Sequence, residues 1–431
     1  MINIYVTDQN RRIEKVDLEK RVSTLNYITI NKEITYQKFL GFGGAFTESS
    51  AYNLSRVSND VRNDALKLYF GKDSLNYQLG RISMGGCDFS LSSYSYVSPN
   101  DKSLKSFNID RDRLFVLPLI KDALKLNSNL RFLVSPWSPP YWMKDNQKYI
   151  EGGHLLRKYY DLYADYYVKS LKELEKENID VFGITSQNEV EALQRWDSCL
   201  YTKEEESDFV INHLAPKLKK YNPSIKVFIL DHNKDILVDR AKYIYNNDKN
   251  HLIAGSAVHW YDQERFEELK KHNELFKDRE LIFTEGCIEH TPTYDNLNNG
   301  FRYARNIIKH LLGNVTMYID WNLFLDEVGG PNWVNNLCDA PIIINVRENR
   351  IIKQMMYYAI GQFSKFIEPN SIRIEAISNI DLPMIAFIKN NKTTIVILNE
   401  TDEDIHTNLK ISSQEYFINI YKKSIITICE E

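Results

Sequence analysis

A chain of 431 residues, 43% of them hydrophobic, can fill one large domain and an appended smaller one, which excludes a disordered or fibrous protein. The formal net charge of −4 excludes a general nucleic-acid binder, which needs a basic surface. The five cysteines are odd in number and lack CxxC or Cys/His zinc spacing, so reduced thiols are expected rather than a disulfide framework or a metal site.

The first residues, Ile2 to Asp8, contain no basic stretch followed by an apolar one, and no window reaches the roughly 18 apolar residues of a membrane span. A cytoplasmic protein without a transmembrane segment is expected. Residues 1–38 then read as short strands: Asn3–Thr7, Arg12–Leu18 and Tyr27–Ile34. Composition changes at Phe39-Leu40-Gly41-Phe42-Gly43-Gly44-Ala45-Phe46, a glycine-rich strand. Its glycines fit neither phosphate-loop spacing, so close backbone packing in a barrel strand is their expected use.

From there strands and helices alternate, the pattern of parallel β/α architecture. Strands are expected at Tyr77–Met84, Leu130–Ser135, Val181–Gln187, Lys226–Asp231, Ile253–His259, Leu281–Glu285 and Val315–Trp321. With the glycine-rich strand they make eight. Helices are expected at Asp110–Leu126, Leu155–Glu177, Lys203–Lys220 and Lys353–Phe366. After Glu368-Pro369-Asn370 only short alternating strands follow, from Ile372 to Cys429. The predicted fold is α/β, a (β/α)8 TIM barrel over 39–366 with an appended β-sandwich built from both chain ends, 1–38 and 367–431.

Barrel strands deliver side chains to the catalytic mouth at their C-terminal ends. Val181 to Ile184 is apolar and breaks into Gln187-Asn188-Glu189. Leu281 to Phe283 likewise ends in Thr284-Glu285. These segments are the fourth and seventh strands, roughly opposite in the barrel, so the two glutamates are expected to share one central space. Paired carboxylates are what glycoside hydrolysis needs. Other strand ends add Arg81, Asp88, Trp137, His259, Tyr261 and Trp321. Each has a plainer reading: a structural ion pair for either glutamate, a turn cap for Asp88, buried core for Trp137 and Trp321. His259 is read as a hydrogen-bonding group, since no HExxH accompanies it. Cys287 is placed beside Glu285, with no histidine positioned to activate it as a nucleophile.

The ordered motifs Gly41-Phe42-Gly43-Gly44-Ala45-Phe46, Ser135-Pro136-Trp137-Ser138-Pro139-Pro140, Gln187-Asn188-Glu189, Ala257-Val258-His259-Trp260-Tyr261, Thr284-Glu285-Gly286-Cys287 and Asp320-Trp321-Asn322-Leu323 resemble glycoside hydrolase family 30, the glucosylceramidase-like group. Gly329-Gly330-Pro331-Asn332-Trp333 and Gly361-Gln362-Phe363-Ser364-Lys365-Phe366 extend the likeness. The resemblance implies a retaining β-glycosidase with Glu189 as general acid/base and Glu285 as nucleophile. It implies sugar contacts from Asp88, Trp137, Asn188, His259, Tyr261, Trp321 and Asn336, with Arg81 supporting Glu285. It implies no metal or organic cofactor, and a β-linked glycoside or glycoconjugate as substrate. Two departures stand out: Val190 follows Glu189 where the motif has proline, and Glu191–Thr202 is unlike the lysosomal glucosylceramidases. In-family alternatives are β-xylosidase, β-fucosidase and 1,6-β-glucanase. A non-catalytic carbohydrate-binding protein is the alternative of another class. The tyrosine-rich composition is compatible with a homo-oligomer.

Overall fold

In the computed structural model, eight short parallel strands pair in chain order and close on themselves. They are β1 (Gly41–Ala45), β2 (Leu79–Ser83), β3 (Arg131–Ser135), β4 (Val181–Thr185), β5 (Lys226–His232), β6 (Gly255–His259), β7 (Glu280–Glu285) and β8 (Met317–Asn322). The structure describes residues 2–19, 22–262 and 264–430. β8 pairs with β1 to shut the barrel. Leu79, Leu133, Phe182, Phe228, Ile282 and Ile319, from six different strands, form one buried cluster that plugs it. The larger apolar core lies outside the strands, under the helices.

The glycine-rich β1 is explained by crowding. A Cβ at Gly43 would stand 2.2 Å from the carbonyl oxygen of Leu79 on the neighbouring strand. Only glycine permits that approach.

Both chain ends build the second layer, as expected. Ile2–Thr7, Arg12–Val16 and Tyr27–Phe39 join six C-terminal strands in one nine-stranded sheet. Ile2–Thr7 lies between Arg12–Val16 and Ser424–Glu430. Ile4 near one edge and Ile411 and Ile420 near the other share a core. The continuous sheet therefore curls until its two ends face each other, giving the sandwich. In Lys392–Asn399 the alternation is complete: Ile395 and Ile397 enter that inner core, while Val396 and Leu398 join the core shared with the barrel. This strand is buried on both faces.

Three local features differ from the expectations. The helix expected over Lys203–Lys220 is broken into Lys203–Asp208, a π-helical turn Phe209–Leu214, and Ala215–Tyr221. Pro216 has no N–H to continue the ladder, and the wider turn accommodates it. The helix over Asp110–Leu126 breaks at Phe115, just ahead of Pro118. A small third sheet of Phe324–Asp326, Ile342–Asn345 and Arg350–Lys353 was not expected. It anchors the loop carrying Asn336. No helix among the described residues is long and apolar enough to cross a membrane.

Candidate active site

The C-terminal ends of the barrel strands open onto a cavity of about 280 Å³. Asp88, Trp137, Asn188, Glu189, Tyr261, Glu285, Trp321 and Asn336 line it. Arg81 and His259 lie just behind this lining and are fully buried. A wider groove of about 690 Å³ near Tyr36 and Arg373 is an open surface trough among lysines and glutamates, away from the barrel mouth.

Glu189 and Glu285 face one space. One ligating atom from each of Glu189, His259 and Glu285 lies within 4.8 Å of the other two. Glu285 ends β7, so its side chain is held on rigid backbone. Gly286 follows because a Cβ there would meet the Trp260 ring at 2.7 Å. Glu189 lies beyond the end of β4 in a left-handed conformation, φ 52°, where its N–H donates to the Asp231 carbonyl at 2.7 Å. Strain at a single non-glycine residue of this kind costs about 1–3 kcal/mol. Val190, which stands in place of the motif's proline, is fully buried and accepts from the Tyr201 N–H. It anchors the following loop by packing.

Arg81 organises the floor. Nη1 donates to Glu285 Oε2 at 2.6 Å, while Nη2 donates to Asn188 Oδ1 and Asp231 Oδ2, each at 2.7 Å. Its guanidinium lies 4.7 Å from the Trp137 ring centre. Trp137 and Trp321 stack with centroids 5.2 Å apart. Both tryptophans are thus buried and pocket-lining at once, at 2% and 3% exposure, which joins the two readings of them. With its carbonyl held by Arg81, Asn188 presents its amide nitrogen as a donor. Tyr261 donates to Glu285 Oε1 at 3.0 Å, and Asn336 donates to Asp88 Oδ2 at 2.9 Å.

Asp231, at the end of β5, is the hub. It accepts from Arg81, from Thr185 and Thr284 at 2.6 Å each, and from His259 Nε2 at 3.1 Å. Burial opposes its charge, but Arg81 and His259 outweigh it and hold Asp231 far below the ordinary carboxylate range. Removing the cation would leave Glu285 without its arginine and Asp231 dependent on His259, so Arg81→Met is expected to cost about 3–5 kcal/mol. Urea unfolding of the variant measures this directly.

Two cations, Arg81 and His259, therefore face three carboxylates: Asp231, Glu189 and Glu285. One proton is left for the glutamate pair, which titrates as a unit. Burial raises both. On Glu189 it is overcome by His259, whose Nδ1 lies 3.5 Å away, and this carboxyl falls below its usual range. On Glu285 burial and the neighbouring Glu189 charge outweigh Arg81 and His259, and this carboxyl rises. Arg81 therefore offsets part of the burial cost at Glu285 rather than lowering its carboxyl below the ordinary range.

Burial lowers His259, but Glu285, Asp231 and Glu189 outweigh it and push the imidazole up to about 9. Its stabilising contribution is complete below its ordinary value of 6.5 and is lost as pH rises through about 9. Burial pushes Asp88 up to about 8, so the fold loses stability as pH rises from the ordinary value of 3.8 to about 8. Melting temperature is expected to fall between pH 7 and pH 10 for the wild type, and less steeply in His259→Gln. As for metals, Glu189, His259 and Glu285 have the spacing of a ligand set. Their chemistry suits proton sharing better, since Arg81 occupies one Glu285 oxygen and a protonated imidazole has no lone pair to offer.

Strand-end reasoning passed over β5 and so missed Asp231, His232 and Asn233, although the break from an apolar run into Asp-His-Asn was there to be read. Gln194, Trp196, Glu289 and Cys338 also line the cavity. They lie on loops, where sequence alone carries no directional signal.

The chain matches the glycosyl hydrolase family 30 TIM-barrel domain over residues 39–367 and the family 30 beta sandwich domain over 370–428. It is 35% identical to putative glucosylceramidase 3 of Caenorhabditis elegans, covering 96% of this chain and 84% of that one. It is 32% identical to lysosomal acid glucosylceramidase of Mus musculus, covering 89% and 79%. Among solved structures, SrfJ from Salmonella typhimurium superposes with a TM-score of 0.93 at 29% identity, covering 100% of both chains. The endo-β1,6-glucanase BT3312 superposes at 0.89 with 26% identity, covering 99% of this chain and 98% of that one. The chain belongs to glycosyl hydrolase family 30 and is a glycoside hydrolase.

Proposed function

We propose that this protein hydrolyses β-linked glucosides with net retention, by double displacement through a covalent glycosyl-enzyme. Glu285 attacks the anomeric carbon while Glu189 protonates the departing oxygen. Glu189 then takes a proton from the water that cleaves the ester. The observation that carries this reading is the separation within 4.8 Å of a carboxylate oxygen on each glutamate. Retaining pairs stand about 5–5.5 Å apart, while inverting pairs need about 6.5–9.5 Å to admit a water.

Substrate decides which glutamate carries the proton. A glycosidic oxygen against Glu189 is an acceptor for the neutral acid, which favours its protonated form. Positive charge developing on the sugar favours the Glu285 carboxylate, already served by Arg81 and Tyr261. Once Glu285 is esterified its charge is gone, and Glu189 becomes the more readily ionised base. The Asn188 amide nitrogen is positioned to donate to the 2-hydroxyl, a contact that tightens in the transition state.

Glucose as the glycone is supported by the relatives, whose names specify glucosylceramide or a β-1,6-glucan. A small glycoside, with no nucleic acid involved, also suits the net charge of −4. A panel of aryl β-glycosides, with product anomers followed by NMR, tests the reading. β-Glucoside preference and a first-formed β-anomer are expected. A first-formed α-anomer would overturn the retaining mechanism.

A further inference from the structure

Cys287 and Cys338 come from segments more than fifty positions apart, and the family mechanism uses neither. A backbone bridge pairs Ile288 with Asp339 in antiparallel fashion, the Asp339 N–H donating to the Ile288 carbonyl at 2.9 Å. In that register Cys287 and Cys338 are diagonal neighbours on the same face, the geometry in which side chains meet across strands. Both belong to one buried cluster, each is 4% exposed, and both line the cavity. A third donor adjoins them, the Tyr261 hydroxyl 3.5 Å from Cys287 Sγ. The same hydroxyl donates to Glu285 Oε1.

We propose that Cys287 and Cys338 form a dithiol site in the cavity wall that binds a soft, thiophilic cation or metalloid, and that its occupancy stops turnover by displacing Tyr261 from Glu285. Cys287 is poor in thiolate: its neighbour Cys338 and burial hold its thiol well above the usual range. This disfavours reaction with electrophiles that need a free thiolate. It does not disfavour a soft Lewis acid, which drives off the thiol protons as it binds. Two sulfurs and a phenol oxygen suit such a ligand and offer little to magnesium or calcium.

The probe is phenylarsine oxide. Its trivalent arsenic bonds both sulfurs without change of oxidation state, and its oxygen leaves as water with the two thiol protons. In the full-length protein one phenylarsine adduct per chain is expected by native mass spectrometry. It should be reversed by dimercaprol but not by a monothiol. Hydrolysis of an aryl β-glucoside should stop in proportion to the adduct. Cys338→Val should lose roughly 10²-fold in arsenical affinity by native mass spectrometry, because the second sulfur contributes through its effective concentration. Should that variant fail to fold, peptide mass spectrometry of the wild-type adduct decides: one phenylarsine must bridge the Cys287 and Cys338 peptides. A bridge between other cysteines, absence of the adduct, or a Cys338→Val protein as sensitive as the wild type would overturn the proposal.

Discussion

Replacing Glu285 by glutamine is expected to lower turnover by roughly 10⁴-fold or more while leaving the fold intact. The amide is nearly isosteric and keeps an oxygen that accepts from Arg81, whose other nitrogens remain bonded to Asp231, Asn188 and Ser135. What it lacks is the negative charge that attacks carbon. Steady-state rates on an aryl β-glucoside, with melting curves for both proteins, measure the two halves of the claim. A Glu285→Gln protein that turns over at even a tenth of the wild-type rate would remove Glu285 as the nucleophile.

Glu189→Ala should behave differently, because its loss depends on the substrate. General acid catalysis contributes about 10²–10⁴-fold when the leaving group is basic and far less when it leaves unaided. An alkyl glucoside should therefore lose most of its rate, while a dinitrophenyl glucoside should still form the glycosyl-enzyme and then stall, for want of a base to activate water. Azide, small enough to enter the space vacated by the carboxylate and needing no deprotonation, should restore turnover and release a β-glucosyl azide. The geometry favours this outcome because the Glu189 carboxylate, among the described residues, is held only by His259 and Gln194, each at 3.5 Å. Equal loss on all substrates, without azide rescue, would mean that Glu189 acts in some other way.

Much of this arrangement was legible in the residues themselves, for a physical reason. A buried parallel strand must be apolar, so the position where it meets solvent is marked by an abrupt polar residue. Glu285 and Asn188-Glu189 carry that mark, and every expected barrel strand is present. The C-terminal strands were equally visible, because a half-buried strand alternates with period two. Loop positions were opaque. Gln194 and Trp196 reach the cavity through a twelve-residue excursion whose path depends on packing around Val190, and Cys338 does so only because a bridge forms at Asp339. Arg81 was visible as a partner for Glu285, but Asp231, which shares one of its nitrogens with Asn188, was not singled out, so one carboxylate of the floor was left out of the reading.

The placement of Ile2–Thr7 between its neighbours has a consequence for how the molecule is made. A chain leaving the ribosome presents this segment long before its partner Ser424–Glu430. Throughout synthesis an apolar ribbon with one open edge must wait for hundreds of residues to emerge, which makes it a natural client for holding chaperones. The barrel can close earlier, but the curled sheet is completed only when Ser424–Glu430 arrives. Removing Ser424–Glu430 should thus expose Ile2–Thr7 to protease, far from it in sequence and adjacent to it in space.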